Sequence, residues 1–97
     1  MTIRLTREAE LDLIEIEVYY LREGPQLADD FTKDLFKYLD LISKQPDSGS
    51  RLTDRYRKFL MKRFPCYIVY EWTPGMLVVI QLVHDKRHPR VQYKRIK

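Results

Sequence analysis

Residues 66–84 have the sequence CYIVYEWTPGMLVVIQLVH, and this run carries the clearest structural signal in the chain. Val, Ile, Tyr and Trp dominate it, and these side chains favour β-strands. In its middle, Thr73-Pro74-Gly75-Met76 is a typical β-turn signal. The sequence therefore predicts two strands, Cys66–Thr73 and Met76–His84, that are antiparallel neighbours joined by a short turn.

A third strand is expected immediately before this hairpin, over about Arg57–Phe64. It follows a loop at Gln45–Tyr56, which is rich in Pro, Gly, Ser and Asp. In the last strand, two sets of side chains alternate: Leu77, Val79, Gln81 and Val83 against Val78, Ile80 and Leu82. The set that contains Gln81 is the more polar, so we expect it to face away from the rest of the fold.

The first half of the chain predicts a short strand at Thr2–Leu5 followed by two helices. Thr6 is a suitable N-cap for a helix over Arg7–Arg22, because its hydroxyl can accept a hydrogen bond from the first turn. Glu23-Gly24-Pro25 ends that helix, and a second helix begins at Pro25 and runs to about Lys44. A link this short makes the two helices an antiparallel hairpin. The predicted fold is an α+β domain of order β-α-α-β-β-β, with the helical hairpin on one face of a small antiparallel sheet.

The first predicted helix carries two apolar stripes at helical spacing. The inner stripe is Ala9, Leu13, Ile16 and Tyr20, and the outer stripe is Leu11, Ile14, Val18 and Leu21. At 100° per residue their centres lie about 140° apart. A helix with two apolar stripes must bury both of them. The outer stripe is therefore expected to be covered by the second helix or by a partner protein.

Length and composition bound the class of protein. The 97 residues form a single domain, 1–97, with room for one core. No apolar run approaches the roughly 20 residues that span a bilayer, and the N-terminus lacks the order of a signal peptide. With one cysteine, Cys66, no intrachain disulfide can form. These features predict a cytoplasmic protein without membrane contacts.

Charge is distributed unevenly along the chain. Residues 1–50 have six Lys/Arg and eleven Asp/Glu, a net −5, whereas residues 51–97 have twelve Lys/Arg and three Asp/Glu, a net +9. A basic half of this strength indicates an anionic partner, either nucleic acid or an acidic protein segment. Basic strand edges also discourage aggregation, which is the simpler interpretation of the same charges.

Signatures of small-molecule enzymes are absent from the sequence. Its three glycines are far apart, so no phosphate-cradling loop exists, and one Cys with two His does not make a zinc site. No cofactor or metal is expected. Basic and aromatic residues alternate instead, in the segments Tyr56–Lys58, Lys62–Phe64, His84–Arg90 and Tyr93–Arg95. Such residues suit nucleic acid, since cations hold phosphates and rings stack on bases, but they also occur on solvated surfaces.

Two of these residues have competing interpretations. His84 could serve as a general acid or base, because the ordinary pKa of histidine lies near neutrality. The interpretation that we favour is a buried, hydrogen-bonded histidine that fixes the end of the last strand. Arg87 could contact a partner or pair with a core carboxylate such as Glu17 or Asp12.

The string FPCYIVYE at Phe64–Glu71 resembles the FPY-x-I-x-Y strand of the RelE/ParE toxin superfamily, in particular its ParE-like branch. His84, Arg87 and Pro89 are similar to that group's H-x-x-R-x-P segment. Further matches follow the group's order along the helices and the loop: Ala9, Asp12, Leu13, Ile16, Tyr19, Tyr20, Ala28, Phe31, Leu39, Leu41, Pro46 and Gly49. The chain departs from the pattern at Cys66, where an aromatic residue is usual, at His88, where Asp is frequent, and at Tyr93, where Trp is frequent.

The resemblance implies a bacterial type II toxin with the β-α-α-β-β-β order and an antitoxin partner encoded alongside it. Operator DNA would be bound only through that antitoxin. ParE-like members inhibit DNA gyrase, whereas RelE-like members cut mRNA in the ribosome. We expect a growth-inhibiting gyrase binder without a catalytic step. The expected target-binding residues are Arg57, Lys62, Arg63, His84 and Arg87, and the expected antitoxin-binding residues are Leu11, Ile14, Val18 and Leu21.

Two alternatives remain at this point. One is a ribosome-dependent mRNA endoribonuclease, in which His84, Arg87, Arg63 and Tyr93 would form the catalytic set. Such cleavage needs cations for the developing phosphate charge and a group that activates the 2′-hydroxyl. The other is an inactive family member that only binds its antitoxin.

Overall fold

The computed structural model describes residues 2–85 of the chain. The elements are β1 (Thr2–Leu5), α1 (Arg7–Glu23), α2 (Pro25–Lys44), a 3-10 turn (Pro46–Ser48), β2 (Ser50–Arg51), β3 (Arg57–Leu60), β4 (Cys66–Thr73) and β5 (Met76–His84). The predicted bounds of β1, α2, β4 and β5 are confirmed, and α1 is one residue longer than predicted. The strand expected to reach Phe64 ends at Leu60, and β2 lies inside the segment predicted as loop.

Local chemistry fixes the helix ends. The Thr6 hydroxyl accepts a hydrogen bond of 3.2 Å from the backbone N–H of Ala9, as expected of an N-cap. At the other end of α1, the backbone N–H of Gly24 donates to the carbonyl of Tyr20 at 2.9 Å. Pro25 then occupies the start of α2, where its missing N–H costs nothing. The two helices therefore meet at a one-residue link.

The sheet has five strands in the order β1-β5-β4-β3-β2, and it is mixed. β3, β4 and β5 are antiparallel neighbours as predicted. β1 pairs with β5 in parallel, with Thr2 opposite Met76 and Leu5 opposite Val79, so the expectation of a wholly antiparallel sheet is corrected. Strands that are joined by tight turns must be antiparallel, but the helical hairpin and three other strands separate β1 from β5, so no turn fixes the direction of β1.

One core cluster joins both helices to the sheet. It contains Ala9, Ile16 and Tyr20 of α1, Phe31, Leu35, Leu39 and Ile42 of α2, and Cys66, Ile68 and Tyr70 of β4. The three β4 residues alternate along the strand, so they share one face of the sheet. Both helices consequently pack on that same face, as predicted.

A β-bulge changes the facing of β5 part-way along the strand. Tyr70 lies opposite Val79 and Val69 lies opposite Gln81, so Ile80 is an additional residue on β5. Leu77 and Val79 join the core cluster before the bulge, and Leu82 joins it after the bulge. The prediction that Gln81 faces away from the helices therefore holds, but the same assignment for Leu77 and Val79 was wrong. Simple alternation cannot anticipate an inserted residue.

Polar groups of α1 complete the hydrogen bonding of β5 beyond the end of β1. The backbone N–H of Thr6 donates to the carbonyl of Val79 at 3.0 Å, and the Thr6 hydroxyl donates to that of Ile80 at 3.3 Å. Farther on, the Asp12 carboxylate accepts a hydrogen bond of 3.0 Å from the N–H of Leu82. Buried backbone groups need such partners. Thr6 and Asp12 thus supply hydrogen bonds to β5 that a longer β1 would otherwise make.

Candidate functional site

The outer stripe of α1 is open to solvent. Leu11 is 48% exposed, Ile14 54%, Val18 41% and Leu21 52%, whereas Ala9 and Ile16 on the inner stripe are fully buried. The second helix therefore does not cover the outer stripe. Contiguous apolar surface of this kind on a small domain usually marks an interaction site.

A shallow hollow lies beside the outer stripe. It has a volume of about 330 Å³ and is lined by Ile14, Glu15, Val18, Tyr19 and Arg22. A carboxylate and a guanidinium thus flank apolar side chains at the same place. Apolar side chains accompanied by charged ones are typical of protein interfaces.

His84 is buried at the end of β5. Only 1% of its surface is exposed, and its Nε2 shares a hydrogen bond of 2.6 Å with the hydroxyl of Tyr20. Its ring centroid lies 5.3 Å from the rings of both Tyr19 and Tyr20. The expected burial and hydrogen bonding of His84 are confirmed, and its role in fixing the strand end stays a prediction. In this conformation its side chain does not reach a surface where a partner would contact it.

Tyr20 is the centre of the aromatic cluster around His84. Its ring packs against Phe31 at 5.5 Å and against Phe64 at 5.0 Å between centroids. Burial raises the pKa of the Tyr20 hydroxyl to about 12, and the neighbouring Cys66 and Tyr19 add to the rise. The hydroxyl is therefore neutral at physiological pH and supports the hydrogen bond to His84.

Lys62 and Arg63 lie in the β3–β4 connection and are exposed. Arg63 forms an ion pair of 3.0 Å with Asp30, and its guanidinium lies 5.1 Å from the centroid of Phe64. A hydrogen bond from Gln26 and the ion pair with Arg63 lower the pKa of the Asp30 carboxyl. Arg63 is thus held above the aromatic cluster. Because Cys66 pairs with His84, the β3–β4 connection lies next to the end of β5.

Arg57, another predicted target-binding residue, lies at the opposite end of β3. Its Nη1 donates a hydrogen bond of 2.8 Å to the carbonyl of Gly49. The structure therefore brings Lys62 and Arg63 close to the end of β5 but separates Arg57 from them. Arg87 and Tyr93 lie outside the described residues. Asp12 accepts a hydrogen bond from the N–H of Leu82, and Glu17 accepts one from Thr32 at 2.6 Å. The pairing of Arg87 with one of these carboxylates stays a prediction.

Sequence reasoning missed a cleft beside Arg57, called here the arginine cleft. It has a volume of about 410 Å³ and is lined by Pro46, Asp47, Arg51, Thr53, Asp54, Arg55, Tyr56, Arg57, Tyr70 and Trp72. The sequence signal for it was the repeated arginine at positions 51, 55 and 57, which the assignment of Gln45–Tyr56 to a loop passed over.

Two negative findings concern the part of the chain between residues 2 and 85. No group of three or more His, Cys, Asp or Glu side chains there is arranged to hold a metal ion. Neither helix in that part combines the length and apolar content needed to cross a bilayer.

Comparisons with known proteins bear on the identity of this fold. Residues 3–89 match the family model described as the ParE toxin of the type II toxin–antitoxin system parDE. No curated protein sequence matches the chain significantly. Among solved structures, the fold is similar to that of the chromosomal ParDE TA system from P. aeruginosa, with a TM-score of 0.74 and 18% sequence identity over 87% of this chain and 95% of that chain. The structural likeness concerns the fold, whereas the family match spans nearly the whole sequence and confirms the resemblance drawn from Phe64–Glu71. The chain belongs to the ParE toxin family of type II toxin–antitoxin systems.

Proposed function

We propose that this ParE toxin inhibits growth by binding DNA gyrase without a catalytic step. The observation that carries the proposal is the state of His84, the acid–base candidate of the sequence. It is 1% exposed and its Nε2 is hydrogen-bonded to Tyr20. A general base must come within hydrogen-bond reach of the proton that it removes. An imidazole enclosed in this way is suited to hold the fold, and this favours a binding toxin over an endoribonuclease.

Exposed cations are the proposed contacts with gyrase. Lys62 and Arg63 project from the β3–β4 connection, and the ion pair with Asp30 limits the rotamers open to Arg63. A cation that is already ordered loses less conformational entropy when it binds. Arg57 at the other end of β3 and Arg87 from the basic C-terminal segment complete the proposed set. His84 supports this surface from beneath through the Tyr20 and Phe64 rings.

We also propose that a cognate antitoxin neutralises the toxin by covering the outer stripe of α1. Complete burial of a Leu, Ile or Val side chain stabilises by about 1.5–3 kcal/mol. The four stripe residues are 41–54% exposed, so roughly half of that value, about 1 kcal/mol, remains available from each. Several kcal/mol from one helix face makes the stripe a suitable anchor for an apolar segment of the antitoxin. Glu15 and Arg22 at the adjacent hollow offer polar contacts at its rim.

The target is tested with purified toxin in two parallel assays, gyrase supercoiling and mRNA cleavage on translating ribosomes. We expect inhibition of supercoiling and intact mRNA. Arg63→Ala and Lys62→Ala should each weaken inhibition about 5- to 150-fold, the equivalent of 1–3 kcal/mol for a lost charged contact. Lys37→Ala, an exposed cation of α2, is the matched control and should inhibit like the wild type.

The alternatives give different results in the same two assays. Cleavage of mRNA with unaffected supercoiling would replace the gyrase proposal with the endoribonuclease alternative. A folded toxin that changes neither reaction but still binds its antitoxin would be an inactive family member.

The antitoxin surface is tested by co-expression with the cognate antitoxin. A double variant, Ile14→Ser and Val18→Ser, should bind the antitoxin at least about tenfold more weakly, because its loss of apolar contact exceeds 1.4 kcal/mol. Phe36→Ser is the matched control, since Phe36 is 48% exposed but lies on α2, away from the stripe. Equal antitoxin affinity of the double variant and the wild type would show that the stripe is not the binding surface.

A further inference from the structure

The arginine cleft has a fixed frame. The Tyr70 hydroxyl donates to the carbonyl of Pro46 at 2.5 Å and accepts from the N–H of Gly49 at 3.0 Å. Arg57 holds the carbonyl of the same glycine at 2.8 Å. The loop that forms one wall is therefore tied to β3 and β4 on both sides of Gly49. A volume of about 410 Å³ also falls within the size range of small-ligand sites.

Two guanidinium groups of the cleft are available to an anion. Arg51 is exposed on the edge strand β2 and has no ion pair with any residue of the described chain. Arg57 uses one Nη1 hydrogen bond for Gly49 and keeps its remaining N–H groups. Arg55, by contrast, is engaged by Glu71 at 2.5 Å and 3.3 Å. Paired guanidinium forks match the geometry of a phosphate group.

Aromatic surface lies in the same cleft. Trp72 is 46% exposed and lines it together with Tyr56 and Tyr70. Because 46% of its surface is exposed, part of the indole is open to contact with a ligand. Nucleobases stack favourably on rings of this kind.

Two carboxylates make the cleft unlike a simple anion site. Asp47 and Asp54 line it alongside the arginines. A carboxylate repels free phosphate, but it accepts hydrogen bonds from the amino group of a nucleobase, as Asp and Glu do with cytosine. The cleft thus offers cations, an aromatic plane and hydrogen-bond acceptors within one small volume. These three features match the phosphate, the ring and the amino group of one nucleotide.

We propose that the arginine cleft binds a nucleotide unit whose base carries an amino group, with phosphate on Arg51 and Arg57 and the base against Trp72. The unit belongs either to a free nucleotide or to a single-stranded nucleic acid. This site is separate from the proposed gyrase and antitoxin surfaces apart from Arg57, so the test relies on Arg51, Asp54 and Trp72.

Trp72 is the single tryptophan of the chain, so its indole N–H gives one NMR signal that reports on the cleft. Titration with CMP should shift this signal with saturation, and UMP, which lacks the amino group, should bind about tenfold more weakly, the equivalent of 1.4 kcal/mol. Inorganic phosphate alone should leave the signal in place. Arg51→Ala should weaken CMP binding about 5- to 150-fold, and Arg7→Ala, an exposed arginine at the start of α1, should not. Asp54→Ala should reduce the difference between CMP and UMP.

The proposal is overturned if CMP leaves the Trp72 signal unmoved, if phosphate moves it equally, or if CMP and UMP bind alike. A short oligo-dC that binds much more tightly than CMP supports a single-stranded nucleic acid as the source, and equal affinity supports a free nucleotide. Arg51→Ala should inhibit gyrase as the wild type does. Loss of nucleotide binding is thereby distinguishable from failure of the gyrase proposal.

Discussion

Replacement of His84 by alanine should destabilise the fold and leave any loss of toxicity secondary to that effect. His84 is 1% exposed and Tyr20 is 7% exposed, and a hydrogen bond of 2.6 Å joins them. Without the imidazole, the Tyr20 hydroxyl loses this buried partner, which costs about 1–3 kcal/mol. The cavity left beside Tyr19 and Tyr20 adds roughly 1–2 kcal/mol more.

A total of about 2–5 kcal/mol is a large part of the stability of one small domain, which is about 5–15 kcal/mol. For a domain of this length, Tm should fall by about 4–8 °C for each kcal/mol. A double-mutant cycle measures the coupling between the two side chains by urea unfolding of the wild type, His84→Ala, Tyr20→Phe and the double variant. We expect an interaction free energy of about 1–2 kcal/mol between the two side chains, because each single variant breaks the same hydrogen bond.

The functional effect of His84→Ala is measured as growth inhibition in culture. His84→Ala should inhibit in proportion to its folded fraction, so a lower culture temperature should restore much of the effect. Lys37→Ala, a variant of an exposed cation on α2, is the control and should unfold at the wild-type urea midpoint. The reasoning is refuted if His84→Ala keeps the wild-type midpoint yet abolishes toxicity at every expression level. If that variant also associates with ribosomes and cuts no mRNA where the wild type does, His84 is the acid–base group of an endoribonuclease.

Three further predictions concern single groups of the fold. The free energy of unfolding should fall from about pH 10 to about pH 12, because burial raises the pKa of Tyr20 from 10.0 to about 12 in the folded state. The unfolded state loses this proton first, so the stabilising contribution is complete below pH 10 and is lost as the pH rises toward 12. Tyr20→Phe should show a smaller fall in urea midpoint over this range. Gly49→Ala should cost at least about 2 kcal/mol, since a Cβ would lie 2.6 Å from the Tyr70 hydroxyl, whereas Gly24→Ala meets open space and should change stability by less than about 1 kcal/mol in the same denaturation assay. Asp12→Ala should lower the free energy of unfolding by about 1–3 kcal/mol and should speed hydrogen exchange of the Leu82 amide, which donates to this carboxylate. Unchanged exchange at Leu82 would show that the carboxylate does not protect this amide.

The parts of the fold that the sequence predicted are those determined by near neighbours in the chain. β4 and β5 follow from their side chains and the turn at Pro74-Gly75, and α1 follows from its N-cap and apolar spacing. The direction of β1 was not predictable in this way. Its partner, β5, lies some seventy residues farther along the chain, as the register from Thr2 to Met76 shows. Only the tertiary packing of the helices decides which way β1 runs.

The same distinction between local and long-range information applies to the candidate site. Periodicity identified the outer stripe of α1 because residues on one helix face repeat at a fixed spacing. The burial of His84 was anticipated from its place at a strand end, but its partner on α1 was not. The arginine cleft was missed because its walls come from the loop after α2, from β2 and β3, and from Trp72 on β4. A site assembled from separate segments leaves no periodic trace in any one of them.

The bulge at Ile80 connects the fold to the position of His84. Side chains of a regular strand alternate between faces, so an unbroken β5 with Leu77 and Val79 in the core would place His84 on the opposite face. The additional residue shifts the alternation by one, and Leu82 and His84 then face the helices. Bulges disrupt the backbone ladder locally, and here Thr6 and Asp12 of the α1 region bond to the carbonyl of Ile80 and the N–H of Leu82 around it. The same helix that stabilises the bulge also carries Tyr20, the partner of His84. The position of the buried histidine is therefore set by the contact between α1 and β5, and a change at Asp12 should reach His84 through the backbone of β5.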